Sequence, residues 1–106
     1  MFRQGDVLIV PIATEAVPAQ ALQAPGEPRD ARGRMVLALG EVTGHAHALA
    51  APGRLVRASA PHMFLHLPEG GRLVHEEHAA IVLPQGWFRV VRQREYLPGA
   101  VRIVAD

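Results

Sequence analysis

The chain has 106 residues, of which 49% are hydrophobic and 20% are charged, and its formal net charge is +1. This length suits one domain, so we predict a single domain over residues 1–106. The composition excludes disorder of the whole chain, and the absence of cysteine excludes disulfides and thiolate metal sites. So small a net charge gives no sign of nucleic-acid binding.

The hydrophobic stretches are all short. None approaches the roughly 18–20 residues that a bilayer-spanning segment needs. The first residues also do not resemble a secretory signal. We therefore expect a cytoplasmic protein with no membrane partner.

The first third of the chain divides into a strand and a loop. Residues 6–12 form a run of β-forming side chains that predicts a strand. Residues 13–34 contain three prolines and two glycines, which exclude a long helix or a central strand. We predict a mobile surface loop there, with one helical turn at about residues 19–23.

From residue 34 onward, β-like segments alternate with turns. They lie at residues 34–39, 45–50, 54–57, 62–67, 72–75, 78–83, 87–93 and 100–104. This rhythm predicts antiparallel pairing and, in the second half, a β-meander. We predict an all-β fold, a small barrel or sandwich of about seven or eight mostly antiparallel strands. An exposed strand edge would allow a homodimer.

Histidine is the main functional clue, because all six histidines fall between residues 45 and 78. His45 and His47 are two residues apart, so an extended strand would present both imidazoles on one face. Neutral imidazole is a common ligand of zinc and also suits iron, nickel and copper. The alternative interpretation is a pair of surface side chains.

A second cluster, at residues 75–78, adds two imidazoles and two carboxylates. A tight turn at Glu76 and Glu77 would make His75 and His78 a cross-strand pair close enough to share an ion. The alternative is a polar hairpin tip. We predict a metal site, with zinc as the first candidate ion, in which Glu76 or Glu77 ligates or orients an imidazole. The predicted site residues are His45, His47, His75, His78 and Glu77.

The remaining polar residues carry weaker predictions. His62 and His66 are reserve ligands, because a lone strand histidine is more often a hydrogen-bonded structural residue. Asp6 is interpreted as a turn cap before the first strand. Arg89 and its neighbouring arginines are interpreted as an ion-paired surface. Ser59 lacks the surroundings of a nucleophilic serine, so no catalytic residue is assigned.

Four segments carry a resemblance that runs nearly end to end. They read RQGDVL at residues 3–8, GEVTGHAH at 40–47, HEEH at 75–78 and QREY at 93–96. In these the chain resembles a family of short bacterial and phage-associated proteins. The resemblance implies a self-contained domain whose shared segments include both histidine clusters, and it implies no particular reaction.

Two shorter segments are similar to the metal-binding cupins, small β-barrels whose ligands are an HxH pair, a glutamate and a later histidine. Gly44, His45 and His47 match the first part, and residues 84–86 match a Pro-x-Gly turn. No glutamate follows His47 at the expected distance, and Arg89 stands where a cupin has its later histidine. The resemblance therefore implies a metal-binding barrel without supplying its complete ligand set.

Three functions follow from these patterns. The leading one is a small metal-binding β protein, either a metal-dependent hydrolase or a cupin-like oxygenase, and the sequence leaves open whether it is an enzyme. The second is a protein-interaction module without metal, which engages its partner through loop 13–34. The third is a weak single-stranded RNA binder that stacks bases on Trp87, Phe88 and Tyr96.

Overall fold

A computed structural model of the chain describes residues 1–40, 44–58, 62–97 and 100–103, and for 94–97 and 100–103 it describes the backbone alone. It confirms the all-β prediction, with antiparallel pairing in every ladder described. The architecture is sandwich-like and is not a closed barrel. Residues 41–43 of the GEVTGHAH segment, Ser59, and Val104 of the predicted last strand lie outside the described residues.

The described part of the chain contains eleven short strands. They are β1 (Phe2–Gln4), β2 (Val7–Ile12), β3 (Met35–Leu39), β4 (Ala46–Leu49), β5 (Arg54–Arg57), β6 (Met63–Leu67), β7 (Gly71–Leu73), β8 (Ile81–Leu83), β9 (Gly86–Arg92), β10 (Arg94–Leu97) and β11 (Ala100–Ile103). The predicted segments correspond to nine of them. The additional strands are β1, which pairs with β2 through a tight turn, and β10, which pairs with β11.

Two layers form the sandwich. The larger layer is a five-stranded sheet in the order β1-β2-β9-β6-β5. The smaller layer consists of the β3-β4 and β7-β8 hairpins, which meet through an antiparallel bridge between Ala48 and Val74. This bridge places the two histidine clusters next to each other in the smaller layer.

The main core lies between the layers, and strand alternation selects its members. In β2, Val7 and Ile9 are buried in this core, whereas Val10 is on the opposite face. Both layers contribute, because Met35, Leu37, Leu49, Leu73 and Leu83 pack with Val7, Ile9, Leu55, Leu65, Leu67, Phe88 and Val90. Burial of apolar surface from both layers holds the hairpins on the sheet.

The opposite face of the large sheet is covered by the start of the proline-rich segment. A 3-10 turn at Thr14–Ala16 and a single helical turn, α1 (Ala19–Gln23), follow β2. The helical turn lies at the predicted residues. Val17 and Ala21 of this segment are buried against Val56, Phe64 and Trp87. This part of the segment therefore forms a second small core.

Two predictions of strand connectivity are wrong. The second half is not a β-meander, because β6 pairs with β9 and the intervening β7-β8 hairpin joins the smaller layer. The reason is the core, since Leu73 and Leu83 complete the apolar surface of that layer. Residues 75–78 also do not form a tight two-residue turn, because β7 ends at Leu73 and β8 begins at Ile81.

Within the described residues, the helical segments are too short to span a membrane.

Candidate metal centre

Strand register brings the two histidine clusters together. Ala48 of β4 pairs antiparallel with Val74, just after β7. In an antiparallel pair, the residue before one partner faces the residue after the other, so His47 lies opposite His75. Their ring centroids are 4.2 Å apart. Two segments separated by more than twenty residues in sequence thus place their imidazoles side by side.

Three imidazoles form a compact group. His78 follows in the loop after β7, and its ring centroid is 4.7 Å from that of His75 and 6.0 Å from that of His47. His47 is completely buried, and His75 is only 8% exposed. His45 lies at the rim, with its ring centroid 5.7 Å from that of His75 and 31% of its side chain exposed. We call His47, His75 and His78 the histidine triad.

The turn between β1 and β2 lies directly against the histidine triad. Gly5 in this turn has a φ of +58°, a conformation that costs an L residue about 1–2 kcal/mol. A Cβ atom at this position would be 2.8 Å from His78 Nε2 and 3.2 Å from His47 Cε1. Glycine therefore serves both the turn geometry and the close approach of the two rings.

Gln4 determines which nitrogen of His47 carries a proton. Its side-chain nitrogen donates hydrogen bonds to the carbonyl oxygens of Leu73, at 3.1 Å, and Ala79, at 3.0 Å. Its Oε1 atom must then be the acceptor for His47 Nδ1, which is 2.9 Å away. His47 consequently has its proton on Nδ1, and the lone pair of the neutral ring is on Nε2. That orientation leaves Nε2 suited to a metal ion, with Gln4 as the outer partner.

Asp6 has a buried side-chain carboxyl group beside the triad. Its side chain is completely inaccessible to solvent, and its Oδ2 accepts a hydrogen bond from Arg92 Nε at 2.8 Å. Its Oδ1 lies 3.5 Å from His47 Nε2. Asp6 is thus more than a turn cap, and Arg92 is more than a surface charge. Local sequence does not distinguish a capping aspartate from one that is buried beside a histidine. The RQGDVL segment, which contains Asp6, was one of the four segments that carried the family resemblance.

The two glutamates of the HEEH segment have different roles. Glu76 accepts a hydrogen bond from the backbone N–H of Ala46, with its two oxygens 3.0 and 3.1 Å away. This hydrogen bond lowers the pKa of Glu76 more than partial desolvation raises it, and His45 and His75 lower it further. Glu77 Oε1 lies 2.9 Å from His45 Nδ1. Glu77 is therefore placed to orient the ring of His45.

His75 is in a different hydrogen-bonding state from His47. Its Nδ1 accepts the backbone N–H of Glu77 at 3.0 Å, so the neutral ring carries its proton on Nε2. Coordination through Nε2 would require this hydrogen bond to be released. Accordingly, no three His, Asp or Glu side chains in the described ranges already have their donor atoms arranged to hold an ion.

The spacing of the rings nevertheless fits a common ion. With Zn–N bonds of about 2.0–2.1 Å and tetrahedral angles, two coordinated imidazoles have ring centroids about 5 Å apart. The triad spacings of 4.2, 4.7 and 6.0 Å bracket that value. His78 Nε2 is buried and has no hydrogen-bond partner among the described residues. Coordination by all three rings would also need the release of the His75 hydrogen bond.

The reserve histidines lie on the other face of the large sheet. His66 stacks on Trp87, with ring centroids 4.6 Å apart, and Arg54 lies over the same indole. Desolvation lowers the pKa of His66, and the charge of Arg54 lowers it further. His62 is exposed and lines a shallow cleft of about 350 Å³ with Phe64 and other residues of that face. Neither side chain belongs to the triad.

The aromatic residues of the RNA hypothesis are mostly enclosed. Trp87 is 6% exposed and Phe88 is 1% exposed, so neither offers an open face for a base. The side chain of Tyr96 lies outside the described part of the chain.

Comparison with known proteins identifies the family. The chain belongs to the family described as a domain of unknown function, DUF8820, whose model matches residues 3–93. The match includes the β1-β2 turn, both histidine clusters and Arg92. No curated protein and no solved structure matches the chain.

Proposed function

We propose that the chain is a metal-binding protein whose ion is held by the histidine triad, with zinc as the first candidate. The observation that carries this proposal is the mutual proximity of three imidazoles, two of them buried and one partly buried, contributed by two separate segments. Gln4 and the Glu77 N–H already bond one nitrogen each of His47 and His75, whereas the buried His78 Nε2 has no hydrogen-bond partner among the described residues. A divalent cation would serve all three at once.

The surrounding hydrogen bonds support a ligand role for His47 and an outer role for His45. Gln4 holds the Nδ1 side of the His47 ring, and Glu77 is placed to orient the ring of His45. Metal-bound histidines in proteins normally have such a partner on their second nitrogen. We propose that His45 lies at the rim, outside the coordination shell, and that Glu77 orients its ring and is not a ligand.

His75 joins the site by exchanging its partner. When an ion binds, we expect the Glu77 N–H to leave His75 Nδ1, so that the ring proton can move to that nitrogen and Nε2 can coordinate. Metal binding should therefore rearrange the 75–78 loop. The backbone amide of Glu77 would report this change in a nuclear magnetic resonance spectrum.

An ion in this position would supply Lewis acidity, and zinc with an open coordination position lowers the pKa of bound water to about 7. A hydrolase is one consequence, and a cupin-like oxygenase is the alternative if iron is the ion. Both reactions need a coordination position on the ion that is open to solvent. The coordination geometry of the metal-loaded protein would establish whether such a position exists.

The test is metal analysis of untagged protein purified without a nickel column. We expect close to about one equivalent of bound divalent metal by mass spectrometry and a rise in melting temperature on adding zinc. Less than about one-tenth of an equivalent, with no thermal shift for zinc, nickel, manganese, iron or cobalt, would contradict the proposal. That result would favour an interaction module acting through loop 13–34.

A further inference from the structure

We propose that Asp6 is a fourth protein ligand of this centre, and that it closes the coordination shell around the ion. The inference rests on the proposed function, because it assigns an additional donor to the same metal. It also changes the kind of site. Three imidazoles and a carboxylate complete a tetrahedral shell, which is the usual arrangement of a structural zinc site, whereas a catalytic zinc site keeps one position for water.

The distance between Asp6 and His47 is the first argument. Asp6 Oδ1 and His47 Nε2 are 3.5 Å apart, which is longer than an N–H···O hydrogen bond of about 2.7–3.2 Å. Two donors on one tetrahedral zinc, with bonds of about 2.0–2.1 Å, are separated by about 3.4 Å. The pair therefore has the separation expected of two ligands of one ion.

The hydrogen bonds around this pair are the second argument. Gln4 accepts the hydrogen bond from His47 Nδ1, so Nε2 is the ring nitrogen that faces the Asp6 carboxylate. Two acceptors turned toward each other repel unless a proton or a cation lies between them. Arg92 binds the other oxygen of Asp6 and so orients Oδ1 toward His47. Gln4 and Arg92 together act as outer partners of two neighbouring ligands.

The turn at Gly5 is the third argument. It precedes Asp6 directly, and its Cα faces His78 Nε2 so closely that a Cβ atom would be 2.8 Å from that nitrogen. The buried nitrogen of His78 and the carboxylate of Asp6 therefore lie beside the same turn. Asp6 and His47 are completely buried, as a site sealed from bulk water would require.

The experiment compares Asp6→Asn with Arg92→Gln in the full chain, using cobalt(II) as a spectroscopic substitute for zinc. Asn keeps the shape of Asp6 but removes its charge. We expect Asp6→Asn to weaken metal affinity more than about 100-fold, because changes to outer partners alone cost about 10–100-fold. Arg92→Gln should stay within that smaller range and keep the cobalt spectrum of a four-coordinate site. Asp30→Asn, which breaks the surface pair with Arg34, is the matched control and should have no effect.

A different pattern of cobalt affinities is expected if Asp6 has only a structural role. If its only role is to pair with Arg92, the two variants will weaken cobalt binding equally, and the inference is overturned while metal binding by the triad stands. If the wild-type chain binds no metal, both proposals fail.

A second measurement needs no variant and covers the case in which Asp6→Asn does not fold. Azide is added to the cobalt-loaded wild-type protein. A closed shell predicts an unchanged visible spectrum, because no water is available for exchange. A spectrum that shifts on azide binding would overturn the inference.

Discussion

Replacing Gly5 with alanine tests how the shape of the site affects metal affinity, independently of the stability of the fold. The residue has a φ of +58°, so alanine should cost about 1–2 kcal/mol of unfolding free energy. Gly33 is the matched control, since its φ is +76° and a Cβ atom there would have no neighbour within 4 Å. Both variants should therefore lose similar amounts of stability to backbone strain. They differ in that only Gly5→Ala places a methyl group against the triad.

The added methyl group should act mainly on metal affinity. A Cβ atom 2.8 Å from His78 Nε2 is too close, but an imidazole at the end of a side chain can move away. Metal sites hold donor atoms within about 0.2 Å of their ideal distances, so this displacement weakens binding. We expect Gly5→Ala to bind zinc at least about tenfold more weakly than Gly33→Ala.

The assay combines urea unfolding of the metal-free proteins with zinc titration against a chromophoric chelator. Urea unfolding measures the shared strain, and the titration measures the difference in affinity. Zinc affinities of Gly5→Ala and Gly33→Ala that agree within about twofold would refute the proposed position of the ion, since that ratio corresponds to less than about 0.5 kcal/mol.

The other predictions concern the histidine triad and the face of the large sheet that carries His62 and His66. His47→Ala and His78→Ala should each reduce zinc occupancy measured by mass spectrometry, whereas His62→Ala should leave it unchanged; equal occupancy in all three variants would reject the ligand assignment. In the folded protein, nuclear magnetic resonance should give His66 a pKa below the ordinary 6.5, and Arg54→Gln should raise it. Because the unfolded chain then binds the proton more tightly, the stability contribution of neutral His66 is present above pH 6.5 and is lost as the pH falls through the lowered pKa. A His66 pKa of 6.5 or higher would contradict this account.

Local patterns in the sequence predicted nine of the eleven described strands. Alternation at β6, where Leu65 and Leu67 face the main core and Phe64 faces the other way, follows directly from the two-residue period of a strand. Proline and glycine placed the turns and the helical turn at residues 19–23. Strand partners were harder, since the pairing of β6 with β9 depends on where distant apolar faces are buried.

The histidines were predicted as a set, but their environment was not. Composition alone drew attention to residues 45–78, and the register of Ala48 with Val74 accounts for the proximity of His47 and His75. Asp6 was interpreted as a cap because an aspartate after glycine commonly has that role in a turn. Its burial depends on a contact with Arg92, 86 residues away, which no local pattern indicates.

The tautomer of His47 also could not be predicted from the sequence, because it depends on the contacts of Gln4. Its side chain is buried because it bridges Leu73, Ala79 and His47, three residues that are distant in sequence. Nothing about a glutamine next to an arginine predicts such a network. The choice of tautomer for His47 follows from the three-dimensional structure alone.

Anomalous diffraction at the zinc absorption edge, from crystals of the zinc-loaded wild-type protein, tests the central claim most directly. The account predicts one strong peak within about 2.0–2.2 Å of the Nε2 atoms of His47, His75 and His78. It also predicts that the Glu77 amide no longer donates to His75. A zinc-loaded crystal with its strongest peak elsewhere, or with the three rings unchanged and no ion between them, would contradict it.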